Sequence, residues 1–279
     1  MRLLTFRDPE GTVRIGELEQ ESVHVLAADS MIHWLSGGGR ERTGMEHALS
    51  DVALLAPVPE PPSVRDFYAF ERHVAAGWRR RGADIPGYWY EAPAFYFSNP
   101  ASIRGPHEPV ERPRATEQLD FELEIAAVVG GNGEIAGFTL MNDWSARDVQ
   151  AHELTVGLGP HKAKDFATSL GPWLVTPDEL PYVDGRLRLI ATVSVNGREL
   201  SRADASEQRF GWPDLLAQAA RDTQLSAGDV LGSGTLARGC LLELGPQDFG
   251  DGRSERWLEP GDLVAISAEG IGTLETPIA

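Results

Sequence analysis

A mostly β chain with some helix, an α+β fold, is what the sequence predicts. Three observations predict it: short runs of alternating apolar and polar residues, turn signals between them, and one proline-rich break. Leu3 to Phe6, Val13 to Leu18 and Val23 to Leu26 are the first such runs, separated by Asp8-Pro-Glu-Gly11 and by a polar turn, and they read as strands. The stretch from Gly44 to Leu55 reads as a helix. Ala56-Pro-Val-Pro-Glu-Pro-Pro-Ser63 reads as a linker, because closely spaced prolines continue neither a helix nor a central strand. It divides a small N-terminal α/β domain, residues 1–60, from a larger domain, residues 61–279. Past the linker, Ser63-Val-Arg-Asp66 is the expected start of a helix with Phe67, Phe70, Val74 and Trp78 as its apolar stripe and Asp66 and His73 together on another side. Further strands are expected at Ile125 to Val129, Ala136 to Leu140, Leu187 to Val195, Asp229 to Leu231, Leu241 to Leu244 and Leu263 to Ala268. Val195-Asn-Gly-Arg198 has the composition of a hairpin turn.

Composition narrows the partners. The 279 residues are 42% apolar, enough for a large buried core, and carry a formal net charge of -17. That balance argues against nucleic acid and against anionic membranes, both of which need basic surface. It leaves an acidic small molecule open, with Arg147, Lys164 and the run Arg79-Arg80-Arg81 as local basic groups; for the run alone, a solvated helix end is the plainer reading. The single cysteine, Cys240, excludes an intramolecular disulfide and reads as a small buried residue rather than a nucleophile. No apolar run approaches the roughly 18 residues of a membrane span, and charge interrupts the first residues too early for a signal peptide, so a cytoplasmic protein is expected. Gly232-Ser-Gly-Thr-Leu-Ala-Arg-Gly239 and Ser36-Gly-Gly-Gly39 lack the context of a nucleotide loop.

The chemistry is concentrated in two segments. In Leu119-Asp-Phe-Glu-Leu-Glu-Ile-Ala-Ala-Val-Val-Gly130 the alternation puts Phe121, Leu123 and Ile125 on one face of a strand and Glu122 and Glu124 on the other. Two carboxylates held side by side repel unless a cation or a proton lies between them, which makes the pair a candidate metal site. Asp143 is the third candidate ligand. It opens Asp143-Trp-Ser-Ala-Arg-Asp-Val-Gln150, where Asp143 or Ser145 can cap a helix running from Ala146 to about Leu154. On such a helix Asp143, Arg147, Gln150 and Leu154 form one stripe, aiming a carboxylate, a guanidinium and an amide into one cavity. The alternative is an exposed strand edge beside a salt-bridged surface helix.

Taken in order, Asp66-Phe-Tyr-x4-His73, Glu122-x-Glu124, Met-Asn-Asp143-Trp-Ser-Ala-Arg147-Asp-x-Gln150, Leu-Gly-Pro160, Lys164 and Gly-Ser-Gly-Thr235 resemble the fumarylacetoacetate hydrolase family. The resemblance spans nearly all of the chain after the linker. It implies a mixed β-sandwich or roll as the catalytic domain, His73 as the base that activates water, Asp66 and Tyr68 in the metal and substrate site, and Thr235 as a substrate contact. It also implies Glu243 as the residue that orients His73, with an outward-facing strand carboxylate as the alternative. Family members with a small lid often carry a glutamate three residues after the histidine; here Ala76 stands there. Leu154 replaces a tyrosine of the fumarylacetoacetase branch, and Ser98-Asn99 stand where many small members have a lysine. Asp66, Glu122, Glu124 and Asp143 offer only oxygen, so Mg²⁺ is expected, with Ca²⁺ and Mn²⁺ open. Lys164, Arg147 and Gln150 would donate to developing negative charge.

The function expected is hydrolysis of a carbon-carbon bond in an acylpyruvate-like or related 1,3-diketo acid. The alternative enzyme reading is a decarboxylase or isomerase of 2-oxo or 2-hydroxydienoic acids, and a metal-retaining binding protein without turnover is a third reading. Residues 69–93, rich in arginine, glycine and aromatics, read as a lid or as a packing segment. Apolar strand-rich stretches, together with the habits of the family, imply a homodimer.

Overall fold

The computed structural model describes residues 1–279. Its main sheet runs from edge to edge through Arg42–Ala48, Ser22–Leu26, Val13–Glu19, Arg2–Arg7, Thr168–Val175, Ile135–Asp143, Leu123–Val129, Val230–Gly232, Val64–Phe67 and Phe95–Ser98. Neighbours on this path are antiparallel except Val230–Gly232 and Val64–Phe67, which run parallel. Four strands, Arg198–Asp204, Ile190–Val195, Leu263–Ala268 and Gly272–Pro277, make a second sheet. The α+β reading holds, and the N-terminal strands extend the main sheet through Arg2–Arg7 bonded to Thr168–Val175.

Leu123–Val129 shows why the sheet lies where it does. All seven residues are buried, so neither face of this strand meets water. Ile125, Ala127 and Val129 join a core with Phe138, Val193, Ile266 and Leu274, the apolar filling between the two sheets. Ala126 and Val128 point the other way and join Leu3, Met31, Trp34 and Leu174. Period-two alternation thus divides one strand between two cores. Each fully buried large aliphatic or aromatic side chain contributes roughly 1.5–3 kcal/mol.

Most expected strands are present, and the Val195-Asn-Gly-Arg198 turn joins Ile190–Val195 to Arg198–Asp204 with positive φ at both Asn196 and Gly197, as a type I′ turn requires. Several expectations are corrected. The Gly44 to Leu55 helix is instead a strand, Arg42–Ala48, a 3₁₀ turn, Leu49–Asp51, and a short strand, Ala53–Leu54. Gly44 sits at φ 88°, outside helical space, and the strand completes the hydrogen bonding of Ser22–Leu26.

The helix expected from Ser63 begins only at Glu71 and runs to Arg80. Val64–Phe67 is a strand buried on both faces between two neighbours, a tertiary placement that overrides local helix signals. Asp66 and His73 therefore lie on different elements. Leu241–Leu244 is a short helix rather than a strand, because its first amides turn onto a buried carboxylate, Asp120. Leu187 to Val195 is broken into Arg186–Leu187 and Ile190–Val195. Asp143 ends the strand Ile135–Asp143 instead of opening a helix, and the helix that follows is Arg147–Glu153.

Phe138 is fully buried between the sheets, with its ring 5.1 Å from that of Trp212 and 5.3 Å from that of Tyr182. Phe138→Ala is expected to lower unfolding free energy by about 3–5 kcal/mol. Urea denaturation measures this, and a change below about 1 kcal/mol would show that the two sheets do not share one core.

Candidate metal centre and active site

Each acidic side chain reaches the centre for a local reason. Glu122 and Glu124 flank Leu123 at the start of Leu123–Val129, and the backbone amide of Glu122 is pinned by Asn142 Oδ1 at 2.9 Å. The antiparallel register pairs Leu123 with Asn142, so Asp143 at the end of the next strand arrives beside Glu122. Asp66 comes from the parallel strand, opposite Gly232. Gly232 permits the meeting: a Cβ there would lie 2.5 Å from Asp66 Oδ1 and 3.1 Å from Glu124 Oε2. Ligand atoms of Asp66, Glu122, Glu124 and Asp143 all lie within 4.8 Å of one another, and all four residues are buried.

Such a cluster is costly in a medium poorer than water at screening charge. Two cations reduce the cost. Lys164 Nζ donates to Glu122 Oε2 at 2.5 Å and to Asp143 Oδ2, and Arg147 Nη2 donates to Glu122 Oε1 at 2.7 Å. Arg147 is itself shared, its Nε donating to Asp120 Oδ2 at 2.7 Å. Further donors are Tyr96 Oη to Asp143 Oδ2 at 2.6 Å, Gly234 N to Glu124 Oε2 at 3.1 Å and Thr235 Oγ1 to Glu124 Oε1 at 3.3 Å.

The electrostatics divide the cluster. Burial, and then the charge of Asp143, pushes the Asp66 carboxyl well above its ordinary range; burial and the charge of Asp66 do the same to Glu124. Burial also acts on Glu122, but Lys164 and then Arg147 hold it well below the usual carboxylate range. Asp66 and Glu124, to which no side-chain cation is hydrogen-bonded, therefore favour holding a proton, and a bound metal ion would take that proton's place. Asp143 Oδ1 is buried without a hydrogen-bond partner. An all-oxygen set with an orphaned carboxylate oxygen fits a hard divalent cation.

A cavity of about 270 Å³ opens onto this cluster. Asp66, Tyr68, His73, Glu122, Glu124, Arg147, Gln150, Lys164 and Thr235 line it. Asp143 stands behind Lys164 and Tyr96, and Glu243 stands behind His73. Arg147, Gln150 and Leu154 do face the cavity together, as the helical stripe predicts, with Arg147 Nη1 donating to Gln150 Oε1 at 3.0 Å. Only Asp143 departs from that stripe, since a strand delivers it.

His73 projects from the helix Glu71–Arg80, and its Nδ1 lies 2.7 Å from Glu243 Oε1 on the short helix Leu241–Leu244. The outward-facing alternative for Glu243 does not hold; its side chain is 7% exposed. A carboxylate at Nδ1 favours the tautomer that keeps the proton there and leaves Nε2 a free lone pair. Tyr68 packs edge-on to His73, and burial pushes its phenol up to about 12, so it is a hydrogen-bond donor at neutral pH. Burial, and then the nearby Asp120 charge, raises the Cys240 thiol well above its usual value, in line with a small buried residue rather than a nucleophile.

Three contributors escape the sequence reading. Asp120 lies two residues before Glu122 in the same alternation, a signal that was available, and it holds Arg147 while accepting the amides of Leu241 and Leu242. Tyr96 sits in an aromatic edge strand that carries no chemical signature. Trp78 lines the cavity where the sequence assigns it to an apolar stripe, and Arg81 stacks 5.0 Å from its ring and faces the cavity too. Arg79 and Arg80, as expected of a solvated helix end, are exposed.

Comparison with known proteins follows the same lines. A family profile described as fumarylacetoacetate (FAA) hydrolase C-terminal matches residues 63–279, and one described as Rv2993c-like, N-terminal matches residues 1–57. The chain is 32% identical to a fumarylacetoacetase of Arabidopsis thaliana over 288 residues, covering 79% of this chain and 68% of that protein. It is 28% identical to the oxaloacetate tautomerase YisK of Bacillus subtilis strain 168 over 268 residues, covering 91% of this chain and 82% of that one. Among solved structures it is similar to 5-carboxymethyl-2-hydroxymuconate delta-isomerase from Mycobacterium smegmatis, with a TM-score of 0.75 and 27% identity across 100% of this chain and 99% of that chain.

Gly232→Ala tests the geometry of the centre, because the added methyl group must part Asp66 from Glu124. It is expected to weaken divalent-cation binding by about 10–100-fold. Isothermal calorimetry with Mg²⁺ reads this, and unchanged affinity would show that Asp66 and Glu124 do not share an ion.

Proposed function

The chain belongs to the fumarylacetoacetate hydrolase family, and within that family we propose a divalent-metal-dependent hydrolase that cleaves a carbon-carbon bond in an acylpyruvate-like or related 1,3-diketo acid. The observation that carries the reading is the His73–Glu243 pair, oriented with Nε2 free beside a cavity that ends on the carboxylate cluster. Asp66, Glu122, Glu124 and Asp143 would hold the cation, and Mg²⁺, a hard ion like Ca²⁺ and Mn²⁺, is the one expected at an all-oxygen set. When bound, that ion supplies Lewis acidity toward the oxygens of an enolised 1,3-dicarbonyl or 2-oxo acid.

The chain's own residues account for the rest. His73 Nε2 takes a proton from water, and the hydroxide formed adds to the carbonyl remote from the enolised end. Glu243 balances the imidazolium. Collapse of the adduct breaks the carbon-carbon bond, and the departing enolate carbon recovers the proton from His73. Lys164, Arg147, Gln150 and Tyr68 donate to the negative charge that grows along this path, and donors held in place in a largely buried site are worth more there than in open water. Arg81 and Trp78, on the helix and turn that wall the cavity, support an acidic group at the far end of the substrate and a lid made by residues 69–93.

A second reading has a specific observation behind it. Sequence similarity to the tautomerase extends over 91% of this chain, against 79% for the fumarylacetoacetase. An isomerase, tautomerase or decarboxylase of 2-oxo or 2-hydroxydienoic acids would use the same centre without activated water. A panel of acylpyruvates, oxaloacetate and hydroxymuconate-type acids, each assayed with Mg²⁺, separates the two. His73→Ala is expected to abolish hydrolysis, a loss of at least about 10²–10⁴-fold, with Mg²⁺ affinity nearly unchanged. Tautomerisation or decarboxylation at the wild-type rate in that variant would replace the hydrolase reading by the second one.

The same proposal includes a homodimer in a reducing cytoplasm. Phe95–Ser98 is an edge strand of the main sheet with Phe97 64% exposed, an edge that a second copy would cover. Light scattering is expected to give twice the chain mass of 30.3 kDa, and a monomer at micromolar concentration with Mg²⁺ present would remove the dimer.

A further inference from the structure

Beside the carboxylate centre lies a second group of ligand atoms with different chemistry. His73 Nδ1, Cys240 Sγ and Glu243 Oε1 offer nitrogen, sulfur and oxygen within 4.8 Å of one another. The sulfur is 3.9 Å from His73 Nδ1 and 3.8 Å from Glu243 Oε1, and Cys240 is fully buried. Bonds of roughly 2.0–2.3 Å from zinc to N, O and S in tetrahedral geometry separate ligand atoms by about 3.3–3.6 Å. The two edges that involve sulfur are within a few tenths of an ångström of that. Only the His73–Glu243 edge, 2.7 Å, must open, and it opens when an ion replaces the proton between them.

We propose that His73, Cys240 and Glu243 form a soft-metal site at which Zn²⁺ switches the catalytic base off. The proposal rests on the reading of His73 as the base. Binding forms Zn–N, Zn–S and Zn–O bonds and leaves one ligand position for water. The Cys240 thiol gives its proton to solvent, and the Nδ1 proton of neutral His73 is released as Nε2 takes one up. One proton leaves per ion bound. With Nδ1 metallated and Nε2 protonated, the imidazole has no lone pair for water, and Glu243 no longer balances an imidazolium.

Selectivity follows from the donors. Thiolate and imidazole discriminate against Mg²⁺, and the four-carboxylate centre, all oxygen, is the place for a hard ion, so the two cations need not compete. The trio is approached from both sides. His73 lines the active-site cavity, and Glu243 lines a separate outer cleft of about 520 Å³ with Ala76, Arg79 and Arg238.

Cobalt titration in saturating Mg²⁺ tests the site without turnover. Cys240 is the only cysteine, so a near-ultraviolet thiolate-to-cobalt charge-transfer band can come from nowhere else in the chain. The band is expected in the wild type and absent in Cys240→Ser, and it should be lost or much weakened in His73→Ala. No band in the folded wild type, or a band unchanged in His73→Ala, overturns the site whatever the enzyme turns over. In activity assays with Mg²⁺ in excess, Zn²⁺ is expected to inhibit the wild type, and Cys240→Ser, with basal activity retained, should need about 10–100-fold more Zn²⁺. Equal inhibition of both proteins would place the zinc effect at the carboxylates and overturn the switch. A cobalt band without inhibition would keep the site and instead remove His73 as base. Cys240→Ala, checked for fold by circular dichroism, replaces the serine variant if that one does not fold.

Discussion

Four carboxylates drawn to one buried point are the constraint that the rest of the site answers. Left alone as anions they would repel one another in buried surroundings that screen charge poorly. Lys164 spans Glu122 and Asp143, Arg147 takes the other oxygen of Glu122, and Tyr96, Gly234 and Thr235 supply neutral donors. These contacts neutralise one side of the cluster only. On the side made by Asp66 and Glu124, burial and mutual repulsion favour retained protons, and it is there that a bound metal ion would take a proton's place.

The cluster also explains why the fold mixes parallel and antiparallel strands. Glu122, Glu124 and Asp143 come from an antiparallel pair, which local alternation and one register can align. Asp66 arrives from the far side of Val230–Gly232 by the parallel pairing, the only parallel step along the main path of the sheet. Gly232 lies between them because the acids must touch across it. The position that joins the two halves of the centre is therefore the one with no side chain.

The legibility of the site in sequence follows the range of the forces involved. The Glu122–Glu124 alternation is local, and so is the stripe of Arg147, Gln150 and Leu154; both survive in three dimensions. Local pattern puts Asp66 and His73 on one helix starting at Ser63, but Val64–Phe67 is captured by two strands distant in the chain, and no local pattern reports that. Leu241–Leu244 has strand composition and becomes a helix since its amides meet Asp120. Only the family resemblance links His73 to Glu243; nothing in their own surroundings in the sequence joins them. Tyr96 gives no signal at all, because its role depends on which carboxylate happens to lie across the cavity.

Asp120 has a consequence of its own. One fully buried carboxylate grips the guanidinium of Arg147 and, at the same time, the first two amides of the turn that carries Glu243. The arm that meets substrate charge and the arm that steadies the imidazole hang from the same hinge pin. An altered pocket wall on the Arg147 side is then felt in the poise of His73, which restricts how freely such a scaffold can exchange one acid substrate for another while keeping its chemistry in tune.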